Sequence, residues 1–407
     1  MGGWKSVFGS QMMMEQSSIR TSAKHMPSTF LSCIIVLVTG MLSAGLAPHI
    51  FADELVLTRD GVQKTVVGET VVEAQDGGIM FRGTNGRVWV LQKDEYDQLV
   101  ATDQPFQPLD KQSIGKEIIA ELPHGFEVLL TNNYVLVYNT SQTYAKWVGG
   151  LYERLYSGFE NFWKTKGIQL KPPDVPLCVL LFDSKENYNR YAQQDLGQGP
   201  GTMVAYYNLV TNRVATYDLT GLQTTRLRDL RSSDQINALL AQPASEALVA
   251  TMVHEAVHQI MFNRGMQQRF ADTPLWVNEG MAVYFETPDL ANRSGWRSMG
   301  KINYSRLARF RSNLARRPEN SLNTLLADDT RFRDSAQALD AYAEAWALNF
   351  YLLKQHQKKF VEYLNELAGK KPLRTDTPQE RIELFESYFG ELDKLDKKFL
   401  DFVVKLK

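Results

Sequence analysis

Apolar positions change rhythm several times along the chain, and each change marks an element. Residues 30–38 form a largely apolar run that fades by about Ala47 and follows Arg20, Lys24 and His25. A positive stretch, a hydrophobic stretch and the small Ala52 ahead of Asp53 and Glu54 make the pattern of an export leader. Residues 1–52 are therefore expected to be a signal peptide, with an uncleaved membrane anchor as the alternative. The period then drops to two. Runs at 54–58, 62–67, 70–74, 79–82 and 87–91 are separated by Asp60-Gly61, Asp76-Gly77-Gly78 and Asn85-Gly86, which suit tight hairpins. The pattern predicts a small all-β domain over 53–100, a five-strand meander or SH3-like barrel. Three prolines in 101–124 read as a linker with a short helix near 114–122.

From Phe126 strands and helices alternate. Residues 126–131 and 134–139 flank Asn132-Asn133 as a hairpin, and Ser141 caps a long helix to Lys166. That helix places Trp147, Leu151, Leu155, Phe159 and Phe162 on one face. Residues 176–183 read as a buried strand, 185–196 as a helix, and 202–209 with 213–218 as an exposed hairpin. The glycines of 196–201 read as a loop, because no strand feeds them and no Lys-Ser or Lys-Thr follows. Beyond 290 the pattern is helical, at 305–314, 321–326, 334–355, 358–367 and 391–405. A capping box at Thr377 and Glu380 opens one more helix. The fold class is α+β, with 125–290 the mixed part and 291–407 its helical continuation.

Composition narrows the class. At 407 residues, 44% hydrophobic and 22% charged, the chain is globular and long enough for two or three domains. A net charge of −1 argues against a general nucleic-acid surface, so no nucleic-acid partner is expected. With Cys33 in the leader, Cys178 stands alone in an apolar run. It reads as a small buried hydrophobe, which leaves no disulfide framework or thiolate metal site.

The candidate chemistry lies in 251–265, TMVHEAVHQIMFNRG, which contains His254, Glu255 and His258 as H-E-x-x-H. Pro243, Ser245 and Glu246 supply a helix start, while Asn263 and Gly265 supply a stop. Positions four apart share a helix face, so both imidazoles can ligate one ion, with Glu255 beside them to act on a water. Two imidazoles leave a catalytic zinc site one protein ligand short. Glu279 is the next candidate, in a second helix with Thr273 as N-cap, Pro274 in its first turn and apolar neighbours throughout. A carboxylate among such neighbours needs a partner: the ion, or an arginine such as Arg264. His124 and His356 have no partner at ligand spacing and read as surface residues.

HEAVHQI followed by WVNEGMAVYFE resembles the gluzincin clan of zinc metallopeptidases, and within it an uncharacterised bacterial peptidase-like family. The resemblance runs from about Phe126 to Phe360. It implies a zincin-like catalytic domain, one Zn²⁺ per chain held by His254, His258 and Glu279, and Glu255 as general base. It also implies an oxyanion-stabilising role for Tyr342, on a helix well beyond Glu279, and a substrate-pairing edge strand at 203–207. The aminopeptidase signature G-x-M-E-N is absent, which points to an endopeptidase with a peptide or protein substrate. Where some members carry an acidic partner for a ligating histidine, this chain has Val283, so the group that orients His254 is left open. Export then implies a secreted, periplasmic or envelope location, with any membrane attachment through the leader. The rival class is a non-catalytic, zinc-containing envelope protein with a peptidase-like fold whose β domain binds a partner. Glu255 separates the two, because a closed structural site has no need of it.

Overall fold

A computed structural model describes residues 51–59, 61–197, 201–222, 232–290 and 296–407. The apolar leader run, Cys33 and the centre of the glycine-rich loop lie outside the described residues. The chain divides into two compact units, one ending at Pro108 and the other running from Leu109 to Lys407. Together they give a mixed α+β protein with a β-rich amino-terminal region and a helical carboxy-terminal part.

The first unit holds β1 (Phe51–Arg59), β2 (Val62–Glu73), β3 (Ile79–Gly83), β4 (Val88–Leu91) and β5 (Gln98–Pro105), in one sheet ordered β4-β3-β2-β1-β5. Leu55, Leu57, Ile79, Phe81, Leu91 and Tyr96 form its core. Two expectations need correction. The separate runs at 62–67 and 70–74 are one strand. Gly68 marks a close approach and no turn, since a Cβ there would lie 2.3 Å from the Arg82 carbonyl oxygen. The stretch read as a linker from residue 101 holds the second half of β5, which pairs with β1. As an outer strand β5 is largely exposed on both faces, so it carries no apolar alternation to read.

The second unit begins with α1 (Lys111–Glu121), capped by Asp110, whose side chain accepts the Ser113 N–H. Its sheet contains β6 (Glu127–Leu130), β7 (Tyr134–Tyr138), β8 (Leu177–Phe182), β9 (Ala205–Asn208) and β10 (Arg213–Tyr217) in the order β6-β7-β8-β10-β9. The β7–β8 and β8–β10 pairs are parallel and the outer pairs antiparallel. Ser141 caps α2 (Gln142–Thr165), which buries Trp147, Leu151, Leu155, Phe159 and Trp163, while α3 (Lys185–Leu196) follows β8. The β9–β10 hairpin, expected to be exposed, is buried along both strands. Tyr206 donates to Asp195 of α3, and Tyr207 stacks on Phe262 of a later helix, so each face of β9 is covered.

The remaining helices are α4 (Ser233–Leu240), α5 (Pro243–Asn263), α6 (Leu275–Phe285), α7 (Tyr304–Asn313), α8 (Ser321–Ala327), α9 (Thr330–Arg333), α10 (Ala338–Gln355), α11 (Gln357–Ala368), α12 (Pro378–Phe389) and α13 (Leu392–Lys405). The Thr377–Glu380 capping box is present at the start of α12. Helix α6 lies fully buried against α10, and Gly280 permits that approach: a Cβ there would lie 2.2 Å from Asn349 Nδ2. Thr273 is not the cap of α6. The Leu275 N–H is accepted instead by Asp329 Oδ1, from a segment more than fifty residues away. His356 ends α10 with its ring near the Tyr351 hydroxyl, at 3.2 Å, so it is no free surface residue, whereas His124 is exposed. Among the described residues no single helix is long and apolar enough to cross a membrane; α4 and α5, bent by 106°, pass that test only as a pair.

Candidate metal centre

Helix α5 is set by Pro243 at its first turn and by apolar residues that bury most of its surface. His254 and His258 lie on one face, and α6 brings Glu279 against them. His254 Nε2 is 3.1 Å from His258 Nε2 and 3.1 Å from Glu279 Oε2, while His258 Nε2 is 3.7 Å from the same oxygen. All three side chains are buried, and they form the group among the described residues able to hold a metal ion. A tetrahedral ion with bonds of about 2.0–2.1 Å sets its donor atoms roughly 3.3 Å apart, which is the size of this triangle.

The outer nitrogens decide the tautomers. His258 Nδ1 lies 3.0 Å from Asn278 Oδ1, and His254 Nδ1 lies 3.2 Å from Glu286 Oε2. Both partners accept, so each Nδ1 carries a proton and each Nε2 is the atom left to ligate once it carries none. Three inward-facing ligand atoms in a buried space need a shared cation, a proton on His254 or a metal ion in its place, and the donor set fits a divalent metal. Glu286 in turn accepts from Arg306 Nε at 3.2 Å and from Asn303 Nδ2 at 3.1 Å.

Residues 248–374 match the model of a family described as a protein of unknown function (DUF1570). No curated protein matches the chain. The matched stretch contains His254, His258 and Glu279 together with Glu255, Asn278, Glu286, Arg306 and Tyr342.

Electrostatics follow the geometry. Burial alone would depress the His254 imidazole, but its hydrogen bonds to Glu279 and Glu286 raise it to about 10. Burial opposes ionisation of Glu279 as well, yet His258 and His254 hold its carboxyl well below the usual range. Arg306 and His254 do the same for Glu286 against its burial. Glu255 moves the other way: burial pushes it up, with the two histidines opposing. Its Oε2 accepts the Tyr207 N–H of β9 at 3.0 Å.

Tyr342 of α10 comes to the centre too. Burial and the neighbouring Glu279 carboxylate raise its pKa well above the ordinary value, so the hydroxyl keeps its proton. Arg264 is not the partner of Glu279: it pairs with Glu160 at 2.6 Å and lies over the Tyr156 ring. Sequence reasoning missed Glu286 as the partner of His254. The available signal was its spacing, seven positions after Glu279 and so two turns along the same helix face.

Proposed function

We propose that the chain is a zinc-dependent peptide-bond hydrolase of gluzincin type with a zincin-like catalytic domain, acting as an endopeptidase. One observation carries the reading. A further carboxylate, the half-buried Glu255, sits beside the ligand triangle without belonging to it, and its raised pKa suits a group that gains and loses a proton during turnover. His254, His258 and Glu279 would hold the ion, and two imidazoles with one carboxylate suit zinc. When bound, it supplies Lewis-acid polarisation of the scissile carbonyl and a water of lowered pKa.

The side chains do the rest. Glu255 accepts the proton of the attacking water and returns it to the leaving amine, so the two half-reactions balance on one carboxylate. Tyr342, protonated at neutral pH, donates toward the oxygen on which negative charge develops. The extended substrate lies along β9, the outermost strand of the sheet and neighbour of α5. The leader pattern of residues 1–52 assigns the work to the exterior or the envelope.

The experiment compares wild type with Glu255→Gln. The variant is expected to keep one metal ion per chain and to lose cleavage across a peptide library. A metal-loaded wild type that cleaves nothing in that library would favour the non-catalytic envelope protein instead.

A further inference from the structure

Helix α5 carries a second polar row beside its ligands. Glu255, Gln259 and Asn263 stand four apart and share one face. All three engage the β9–β10 hairpin and its surroundings. Glu255 Oε2 accepts the Tyr207 N–H at 3.0 Å. Gln259 Nε2 donates to the carbonyls of Cys178 at 2.9 Å and Asn212 at 3.0 Å. Asn263 and Asn212 exchange amide hydrogen bonds of 2.7 and 2.8 Å, and the Tyr207 hydroxyl donates to Asn212 Oδ1 at 2.7 Å.

Two features mark this as more than packing. Gln259 is fully buried and its Oε1 has no partner among the described residues, a state that typically costs about 1–3 kcal/mol. A primary amide is nonetheless what that position demands, because a carbonyl of β8 and one of the β9–β10 turn must share one donor group. Asn212 adopts a left-handed φ of 60°, a conformation asparagine tolerates better than most residues, and so aims its side chain at both Tyr207 and Asn263.

We propose that the β9–β10 hairpin is a positioning element for Glu255. In this arrangement Gln259, Asn263 and Asn212 clamp the hairpin, and the Tyr207 N–H fixes one carboxylate oxygen while leaving the other for a water. Tyr207, Asn212, Gln259 and Asn263 are then positioning residues. The contact stands on its own geometry, while its consequence for turnover rests on the hydrolase reading above.

Hydrogen–deuterium exchange of the full chain, resolved at the Tyr207 amide, tests the contact without any substrate. Glu255→Ala is expected to speed that exchange about tenfold or more while leaving the Val214 amide of β10 unchanged. Asn212→Gly keeps the left-handed backbone and deletes only the amide, and Tyr207→Phe deletes only the hydroxyl. Both are expected to retain one zinc per chain, to speed exchange of the amide at position 207, and to lower kcat about tenfold at unchanged KM. Equal Tyr207 exchange in wild type and Glu255→Ala would overturn the proposal. So would loss of zinc in both milder variants, which would make the hairpin a mere support of the fold. A zinc-loaded wild type that cleaves nothing would remove the hydrolase reading, and the exchange rates would still decide the contact.

Discussion

Glu286 Oε2 lies 3.2 Å from His254 Nδ1, on the side of the imidazole turned away from Glu279. The ring is thus gripped at both nitrogens by carboxylates from one helix, the first at Glu279 and the second two turns later. Partners of this kind fix tautomer and ring orientation, and their loss typically lowers metal affinity about 10–100-fold. Glu286→Gln is expected to bind zinc about tenfold more weakly or worse in a chelator competition, with near-normal circular dichroism. Unchanged affinity would remove Glu286 from the site.

Metal uptake is expected to release a proton from His254. In the metal-free protein its pKa is raised to about 10, so at pH 7 the ring is protonated and the proton must leave before Nε2 can ligate. Affinity therefore rises with pH up to that value. The same shift stabilises the metal-free fold fully below the ordinary histidine pKa of about 6.5, and that contribution is lost as pH rises through about 10. Calorimetry in buffers of different ionisation enthalpy should count about one proton from this group at pH 7. Zinc binding with no proton released would contradict the assignment.

Gly280 should not tolerate a methyl group. Its Cβ would meet Asn349 Nδ2 at 2.2 Å and the Ala345 carbonyl oxygen at 2.8 Å, both held in place by α10. The helix-propensity gain of Gly280→Ala is about 1 kcal/mol, against overpacking of about 1–3 kcal/mol and displacement of the adjacent Glu279. A lower melting temperature together with weaker zinc binding is expected. A stabilised variant with full affinity would show that α6 moves freely against α10.

Arg381 extends control of the centre beyond the family-matched stretch. It pairs with Asp272 at 2.6 Å and Asp329 at 2.9 Å, and Asp329 accepts the first N–H of the helix that carries Glu279. Arg381→Met removes the Asp272 pairing and leaves Asp329 only Arg333 at 3.4 Å, and breaking a largely buried pair typically costs about 3–5 kcal/mol. Thermal unfolding should show a fall of roughly 10 °C.

Legibility in the sequence followed how local each signal was. The pair His254 and His258 declared itself through one helical repeat, and Glu279 through its conflict with apolar neighbours. Ser141 and Thr377 signalled their helices because a cap acts within three residues. Glu286 stood at the end of α6, two turns after Glu279, and that spacing gained meaning only once the folded partner His254 was in place. Asp329 and Arg381 act on α6 from distant segments, and no local pattern announces them. The burial of β9 was hidden for a related reason: its polar groups are satisfied by Asp195 on one face and by Asn212 on the other, which leaves the pattern of an exposed hairpin inside the protein.

The most direct measurement is metal stoichiometry after chelation and reconstitution, for wild type, His258→Ala and Glu279→Ala. The wild type is expected to take up about one zinc ion per chain and each variant to lose it at matched concentration, while all three remain folded. Full zinc content in either variant would contradict the convergence of His254, His258 and Glu279 on a single ion.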